Sequence, residues 1–209
     1  MMFRDREDAA IRLAEQLMVY QGQNPLVLAI PRGAVPMAKI IANKLQGEMD
    51  VVLVRKLGAP GNPELAIGAI DETGWVYMTQ EAGHIVHDIQ YIEKEKSRQL
   101  EVMRERRKRY TPVRPPLNPE GRIVIVVDDG LATGSTMIAA LHALRARAPQ
   151  KLVCAVPVAP FETLDRVAPY ADEVVCLETP ALFYAVGQFY EVFAQVSDEA
   201  VIALLSDTQ

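Results

Sequence analysis

Short apolar runs alternate with stretches of helical periodicity along most of the chain. Runs rich in β-branched residues predict strands at 26–30, 51–54, 66–70, 75–78, 123–127, 152–156 and 173–177. Apolar residues spaced three and four apart predict helices over about 6–20, 35–45, 135–147, 161–168 and 198–205. Strands that alternate with helices are typical of a parallel sheet covered on both faces. The pattern therefore predicts an α/β fold on a parallel sheet, in a single domain over residues 1–209.

One region departs from this alternation. Residues 80–110 are long, polar and charged, and the prolines between 112 and 119 then predict an extended linker. Within the charged region, Ile89, Ile92, Leu100 and Met103 form an apolar stripe. We therefore expect a charged helix at about 89–109 that packs on the core or on a partner subunit. Contact of this basic helix with RNA is a weaker alternative.

Composition and charge narrow the class of protein. The chain has 209 residues, 50% of them hydrophobic, and a formal net charge of −5. An acidic chain attracts nucleic acid poorly, and no apolar run approaches the roughly 18 residues of a membrane span. The charged first residues lack the apolar region of a signal peptide, so we expect a cytoplasmic protein without membrane or nucleic-acid partners. Cys154 and Cys176 lie within apolar runs and are predicted to be reduced core thiols.

The stretch 123–136 carries the strongest functional signal. Five β-branched residues run directly into Asp128 and Asp129, and a loop of small and hydroxyl residues then leads to a helix. A helix N-terminus and free loop amides favour a phosphate. Two carboxylates accept hydrogen bonds from vicinal hydroxyls or face a divalent metal. A ligand with a phosphate at one end and a diol at the other is a ribose 5-phosphate.

Two further segments follow predicted strands. Residues 31–34 come after the first strand, and Arg55 and Lys56 come after the second, leading into a Gly- and Pro-rich loop at 57–63. In parallel sheets, ligands bind beyond the carboxyl ends of the strands. The loops at 31–34, 55–63 and 128–136 are therefore predicted to converge on one pocket.

The same three segments resemble the motifs of a known family, in that family's order. Residues 126–136 resemble the phosphoribosyl pyrophosphate (PRPP) signature of type I phosphoribosyltransferases, residues 30–34 their pyrophosphate loop, and residues 54–64 the start of their mobile catalytic loop. The whole chain is also similar to a bacterial subgroup of that family, for which the resemblance supplies no acceptor. It implies a type I phosphoribosyltransferase fold. A small cap is expected from the N-terminal helix, residues 79–118 and the C-terminal segment.

The resemblance also implies a role for each matching residue. Asp128 and Asp129 would hold the ribose 2- and 3-hydroxyls, directly or through Mg²⁺, and Arg55 and Lys56 would close over the leaving group. The 5-phosphate would be bound by Gly130, Leu131, Ala132, Thr133, Gly134, Ser135 and Thr136. The pyrophosphate would be bound by Pro31, Arg32, Gly33 and Ala34, in a loop that often contains a cis non-prolyl peptide in the family.

The nature of the acceptor stays open. Ala132 stands where 6-oxopurine enzymes of the family commonly have an aspartate, which weakens a hypoxanthine or guanine assignment and leaves no obvious general base in the loop. Asp71 and Glu72 are weak substitutes. The aromatic pairs 183–184 and 189–190 belong to the core or stack on a nucleobase. His84 and His87, three residues apart, are more typical of a surface helix than of a metal site, and His142 is similar.

Three functions fit these residues. The first is an enzyme that transfers ribose 5-phosphate from PRPP to a nitrogenous base or another nitrogen nucleophile, with Mg²⁺ and release of pyrophosphate. The second is a regulator of the same fold that senses PRPP or nucleotide without turnover. The third is a hydrolase or phosphorylase acting on a related sugar phosphate. A homodimer is the expected assembly, if any.

Overall fold

The computed structural model describes residues 2–86, 88–113 and 115–207, apart from the side chain of Glu64. Its helices are α1 Arg6–Gln16, α2 Val35–Leu45, α3 Ala82–Ile85, α4 Ile89–Tyr110, α5 Ser135–Arg145, α6 Phe161–Val167 and α7 Asp198–Ser206. Its strands are β1 Leu26–Ala29, β2 Glu48–Val51, β3 Val54–Ala59, β4 Asn62–Asp71, β5 Val76–Met78, β6 Ile123–Val127, β7 Lys151–Val158 and β8 Glu173–Glu178. Single 3₁₀ turns occur at Met18–Tyr20, Ala168–Tyr170 and Val186–Phe189.

Five strands form the parallel sheet that the alternating pattern predicts, in the order β2-β1-β6-β7-β8. Side chains of alternate residues point to opposite faces of a strand. Val27 and Ile125 accordingly join one buried cluster with α1 and α2, whereas Leu28 and Val126 join a second cluster with α5. The α/β fold with a covered parallel sheet is therefore confirmed, and both faces of β1 and β6 are dry.

The register of β1 and β6 brings two predicted site segments together. Ala29 lies opposite Val127, and the Ile30 amide donates to the Val127 carbonyl over 3.0 Å. Both strands run in the same direction and end side by side. The segments that begin at Pro31 and Asp128 therefore leave the sheet as neighbours, which is the geometry expected at the carboxyl edge of a parallel sheet.

The prediction of one strand at 51–54 is wrong. Val51 ends β2 in the parallel sheet, and Val54 begins β3 in a separate antiparallel sheet of order β3-β4-β5. The apolar run is continuous because Val52 and Leu53, between the two strands, are also buried. Hydrophobicity alone does not reveal a change of sheet within such a run.

The predicted loop at 57–63 is largely a β-hairpin. β3 continues to Ala59, and β4 starts at Asn62 and pairs antiparallel with it, with irregular register around Gly58. Gly61, at the tip, has φ +74°, a left-handed conformation that glycine adopts without steric cost. Glycine and proline marked a turn correctly, but they did not show that the flanking residues are paired.

Helix α4 packs on the core of this chain. Its fully buried positions are Glu95, Gln99, Met103 and Tyr110, which share one face. That face lies against β3, β4 and α7. Ile89, assigned to the apolar stripe, is instead 74% exposed, because the contact face is shifted toward Glu95 and Gln99. Two buried polar residues on this face are a feature that the apolar pattern did not predict.

Cys154 is buried and Cys176 is partly buried, and both are free thiols, as predicted. Burial raises the pKa of each thiol, to about 11 for Cys176. His84 is exposed on α3, and His87 lies outside the described residues. Within the described residues, none of the helices combines the length and the apolar character needed to cross a bilayer.

Candidate active site

A cavity of about 1020 Å³ opens at the carboxyl ends of β1 and β6. It is lined by residues from each of the three predicted segments, including Arg32, Lys56, Asp128 and Thr133. Helix α4 and the C-terminal segment, which includes Tyr184, complete its walls. The predicted convergence on one pocket is thus what the structure contains. Of the predicted site residues, Ala34 and Ser135 are buried behind the surface of the cavity.

The middle of the loop at 128–136 is held by hydrogen bonds to neighbouring elements. The Leu131 amide donates to the Val158 carbonyl over 2.9 Å, and the Thr163 hydroxyl donates to the Ala132 carbonyl over 2.6 Å. Gly134 has φ +76° and precedes α5, whose N-terminus has no side-chain cap. The Ser135 amide donates only a long hydrogen bond, 3.4 Å, to the Thr133 hydroxyl oxygen, and the helix dipole adds a partial positive charge at the same place. Such an end suits a phosphate.

The two carboxylates lie at the floor of the cavity in different environments. The Asp128 Oδ1 accepts a hydrogen bond from the Asp129 amide over 2.9 Å. Asp129 Oδ2 accepts two, from Nε and Nη2 of Arg6, over 2.9 and 2.7 Å. Burial, and then the adjacent charge of Asp129, raise the pKa of Asp128 well above its usual range. Ionisation of both carboxylates is therefore unfavourable unless a cation or hydroxyl donors of a ligand stabilise the negative charge.

The segment 31–34 packs directly against this carboxylate pair. The Pro31–Arg32 peptide is cis, the feature that the family resemblance led us to expect. A Cβ on Gly33 would overlap with Asp129 Oδ2 and crowd Arg6. Only glycine therefore allows the backbone to approach the carboxylate this closely. The Arg32 side chain is partly exposed and lies 4.0 Å from an oxygen of Asp198 at the start of α7.

Arg55 and Lys56 lie on β3, and not on a loop as the sequence indicated. Their positions are therefore set by pairing with Ile70 and Ala69 of β4. Both residues line the cavity. Burial, and then the nearby charges of Arg106, Arg98 and Arg32, lower the pKa of Arg55. A group of cations around one wall is a surface that attracts an anion.

Arg6 is the main site residue that sequence reasoning missed. Besides its bonds to Asp129, its Nη1 donates to the Ala194 carbonyl over 2.6 Å, and its guanidinium lies 3.9 Å above the Phe193 ring. It is only 13% exposed. Arg6 thus connects the N-terminal helix with Asp129 of the acid pair (Asp128 and Asp129) and with the C-terminal segment at Phe193 and Ala194. The only signal for it in the sequence was the resemblance of the whole chain to the bacterial subgroup, which does not single out this residue.

Several weaker candidates lie away from the cavity. Asp71 is buried and its Oδ1 accepts bonds from Thr73 and the Trp75 amide, while Glu72 pairs with Arg107. Neither is available as a general base in the cavity. His142 stacks on Trp75 at 3.6 Å between ring centroids.

The aromatic residues near the C-terminus divide between two roles. Phe183 and Phe189 pack on each other at the edge of the core, at 5.1 Å between centroids. The Tyr190 hydroxyl donates to the Asp129 carbonyl over 2.6 Å and so supports the acid pair. Tyr184 is 84% exposed at the mouth of the cavity, which leaves its ring free to stack on a ligand.

The comparisons with known proteins agree with this geometry. Residues 3–193 match the model of the phosphoribosyl transferase domain. Two proteins of Mycobacterium tuberculosis, from strains CDC 1551 / Oshkosh and H37Rv, carry provisional names as phosphoribosyl transferases, and each is 45% identical over 205 residues. The match covers 98% of this chain but 46% of each relative, so the chain spans about half the length of these relatives.

A solved structure extends the likeness to three dimensions. The protein TT1426 from Thermus thermophilus is 47% identical, with a TM-score of 0.82 over 99% of both chains. The chain belongs to the phosphoribosyl transferase family. The predicted membership of this family is therefore confirmed, and the predicted class of enzyme is confirmed at the level of the family.

Proposed function

We propose that the protein transfers ribose 5-phosphate from PRPP to a nitrogen nucleophile and releases pyrophosphate. The observation that supports this most strongly is the meeting of three elements at one cavity edge. These are the acid pair at Asp128 and Asp129, the uncapped N-terminus of α5, and the cations of β3. They match the diol, the 5-phosphate and the pyrophosphate of a single ligand.

Each element has a distinct task in this proposal. The C1–oxygen bond to pyrophosphate breaks, a C1–nitrogen bond forms, and the nitrogen releases its proton. Positive charge develops on the ribose ring, and the carboxylates of Asp128 and Asp129 stabilise it. Negative charge develops on the pyrophosphate, where the amides of residues 32–34 and the side chains of Arg55 and Lys56 stabilise it. Loop 130–136 holds the 5-phosphate and so fixes the ribose for in-line attack.

The residues present suit Mg²⁺ held mainly by substrate. Asp129 Oδ2 accepts hydrogen bonds from Arg6, and Asp128 Oδ1 accepts one from a backbone amide. Within the part of the chain that the structure describes, this leaves one oxygen of each carboxylate available. Mg²⁺ commonly keeps several waters and binds through one or two carboxylates together with substrate oxygens. Asp128 and Asp129 would therefore reach it through ribose hydroxyls or water. When bound, the ion would neutralise charge on the pyrophosphate.

The wall that would meet the acceptor is largely aromatic and apolar, and among the described residues it carries no evident base. Ala132, Tyr184 and Phe193 line it. Besides Asp128 and Asp129, the described carboxylate on the lining is Glu95, which is engaged by Arg98 and Gln99. This supports an acceptor nitrogen that needs little help in losing its proton. It also agrees with the argument that Ala132 disfavours a 6-oxopurine.

The proposal is tested by binding and by turnover. Titration calorimetry with Mg²⁺ and PRPP should show saturable binding, and pyrophosphate release should depend on the acceptor in a screen of purines, pyrimidines and simple amines. Absence of PRPP binding by the wild-type protein would contradict the proposal.

The same screen decides the alternatives. A PRPP-sensing regulator is favoured by the engagement of Asp129 by Arg6, since a closed site need not turn over. Binding without release under any acceptor would support it. Release without any acceptor would instead support a hydrolase. The presence of both Arg55 and Lys56 on the cavity favours the transferase.

We further propose that residues 1–209 act as one domain in which α1, residues 79–118 and the C-terminal segment form a cap over the cavity. A homodimer remains part of the proposal. Sedimentation of the purified protein would test it, with a monomer at all concentrations as the contradicting result.

A further inference from the structure

A chain of hydrogen bonds runs from helix α4 to the cation wall of the cavity. Arg55 Nε donates to Gln99 Oε1 over 2.8 Å, and Gln99 Nε2 donates to Glu95 Oε1 over 2.8 Å. Arg98 then closes the chain, because its Nε and Nη2 both donate to the Glu95 carboxylate over 2.8 Å. Glu95, Arg98 and Gln99 therefore form one relay on α4 that ends on Arg55.

The inner members of this relay are withdrawn from water. Glu95 is 7% exposed and Gln99 is 3% exposed. Burial of such groups is costly unless each finds partners. Arg98 satisfies Glu95 and keeps it ionised, since this hydrogen bond is the main reason that the pKa of Glu95 lies below its usual value. The amide of Gln99 is thereby held in one orientation, with its oxygen toward Arg55.

The chemical type of Gln99 is the informative point. A carboxylate at this position would orient Arg55 equally well, but it would also neutralise the guanidinium. In the part of the chain that the structure describes, the hydrogen-bond partner of Arg55 is this neutral amide. Burial lowers the pKa of Arg55 most, and the nearby cations Arg106, Arg98 and Arg32 lower it further, against a smaller opposing effect of Glu95. The positive charge of Arg55 is therefore not neutralised by its surroundings. A cation fixed in place and not neutralised is prepared for an anionic ligand.

Helix α4 also makes a second hydrogen bond to the strand that carries Arg55. The Tyr91 hydroxyl, one turn before Glu95, donates to the Gly58 carbonyl of β3 over 2.8 Å. Helix α4 is therefore attached to the strand that carries Arg55 at two points. The orientation of the guanidinium follows from the docking of the helix and not from the hairpin alone.

We propose that Gln99 is a positioning residue for pyrophosphate binding, acting through Arg55 and oriented by Glu95. This rests on the proposed function, because it assigns Arg55 to the diphosphate of PRPP. It adds that the specificity for a polyanion is set partly from α4, a helix that carries none of the family motifs.

A double-mutant cycle measures the coupling. Gln99→Leu should weaken the binding of Mg²⁺–PRPP in calorimetry by about tenfold, in keeping with loss of a hydrogen bond to a charged group. In an Arg55→Ala background the same change should have no further effect. The matched control is Gln90→Leu, on the exposed part of the same helix, which should bind as wild type. An equal effect of Gln99→Leu in both backgrounds would overturn the proposal.

A readout without ligand separates this proposal from the proposed function. In ligand-free protein, the Arg55 Nε–H should exchange slowly with solvent by nitrogen-15 NMR, and Gln99→Leu should make it fast. Gln99→Glu should keep the slow exchange but still weaken PRPP binding, because its charge opposes the diphosphate. Exchange of Arg55 in the wild type as fast as that of exposed Arg104 would overturn the relay even if PRPP binds. Absence of PRPP binding with slow Arg55 exchange would contradict the proposed function and the pyrophosphate role together, while the relay itself would stand.

Discussion

Two sides of the cavity are built in different ways. The acid loop, residues 128–136, is one continuous segment that offers backbone amides and two carboxylates at the end of β6. The bracing wall, formed by Arg6, Arg55, Glu95 and Gln99, consists of side chains from α1, β3 and α4. The chemical groups of the acid loop all come from one contiguous segment, although Val158, Thr163 and Tyr190 hold that segment in place. The bracing wall, by contrast, is assembled only when distant elements are docked. We expect changes in the loop to affect chemistry most and changes in the wall to affect affinity and stability.

The largest expected effect is at the acid pair. Asp128→Asn combined with Asp129→Asn should lower any acceptor-dependent pyrophosphate release by at least about 100-fold, because preorganised charge at the reacting centre is lost. Steady-state kinetics with PRPP would measure it. Asp165→Asn, on the exposed side of α6, serves as the control and should leave the rate unchanged. Wild-type activity in the double variant would contradict the assignment of the acid loop to the active site.

The contact between the acid loop and the bracing wall depends on Arg6. Arg6→Ala leaves the Asp129 carboxylate, 15% exposed, without its charged partner. Loss of a charged hydrogen-bond partner costs about 1–3 kcal/mol. Denaturant unfolding should show this loss, and Arg6→Lys should recover part of it because the charge remains while the fork geometry is lost. Equal stability of all three proteins would mean that the two sides are independent.

A matched pair of glycines tests the close packing beside Asp129. Gly33→Ala would place a Cβ against Asp129 Oδ2 and should cost about 1–3 kcal/mol of stability through overpacking. It should also weaken PRPP binding. Gly83→Ala, in α3, meets nothing within 4 Å and should leave stability unchanged or slightly higher. Thermal unfolding of both variants gives the comparison, and similar behaviour would show that residue 33 has room to move.

The smallest expected effect concerns the far end of α4, where Tyr110 donates to Asp198 over 2.9 Å. Burial, then this hydrogen bond, raise the pKa of Tyr110 to about 12. Because an unfolded tyrosine ionises at pH ~10, the folded state holds the proton more tightly, and this stabilisation is lost as the pH rises from about 10 to 12. The free energy of unfolding, measured with denaturant across this range, should therefore fall more steeply for wild type than for Tyr110→Phe. The control, Tyr184→Phe, alters an exposed ring and should follow wild type.

The predictability of each part follows the same division. The strands β1, β6 and β7 were visible as local patterns, because burial on both faces requires continuous apolar runs. The helices that alternate with them and the acid loop were visible in the same way. The prediction of one strand at 51–54 was wrong because a single apolar stretch contributes residues to two sheets. Arg6 and Gln99 gave no local signal at all. Each is one polar residue in a charged helix, and only its partner, 123 or 44 residues away, distinguishes it.

The amino-acid sequence by itself determined the parallel α/β architecture, the family and the segment that carries the acid pair. These depend on periodicity and on contiguous motifs, whose physical basis is local. Only the tertiary structure decided that Arg55 stands on a paired strand, that a neutral amide orients it, and that Arg6 engages Asp129. These contacts depend on how helices dock against a sheet edge, and docking is determined by packing over the whole chain.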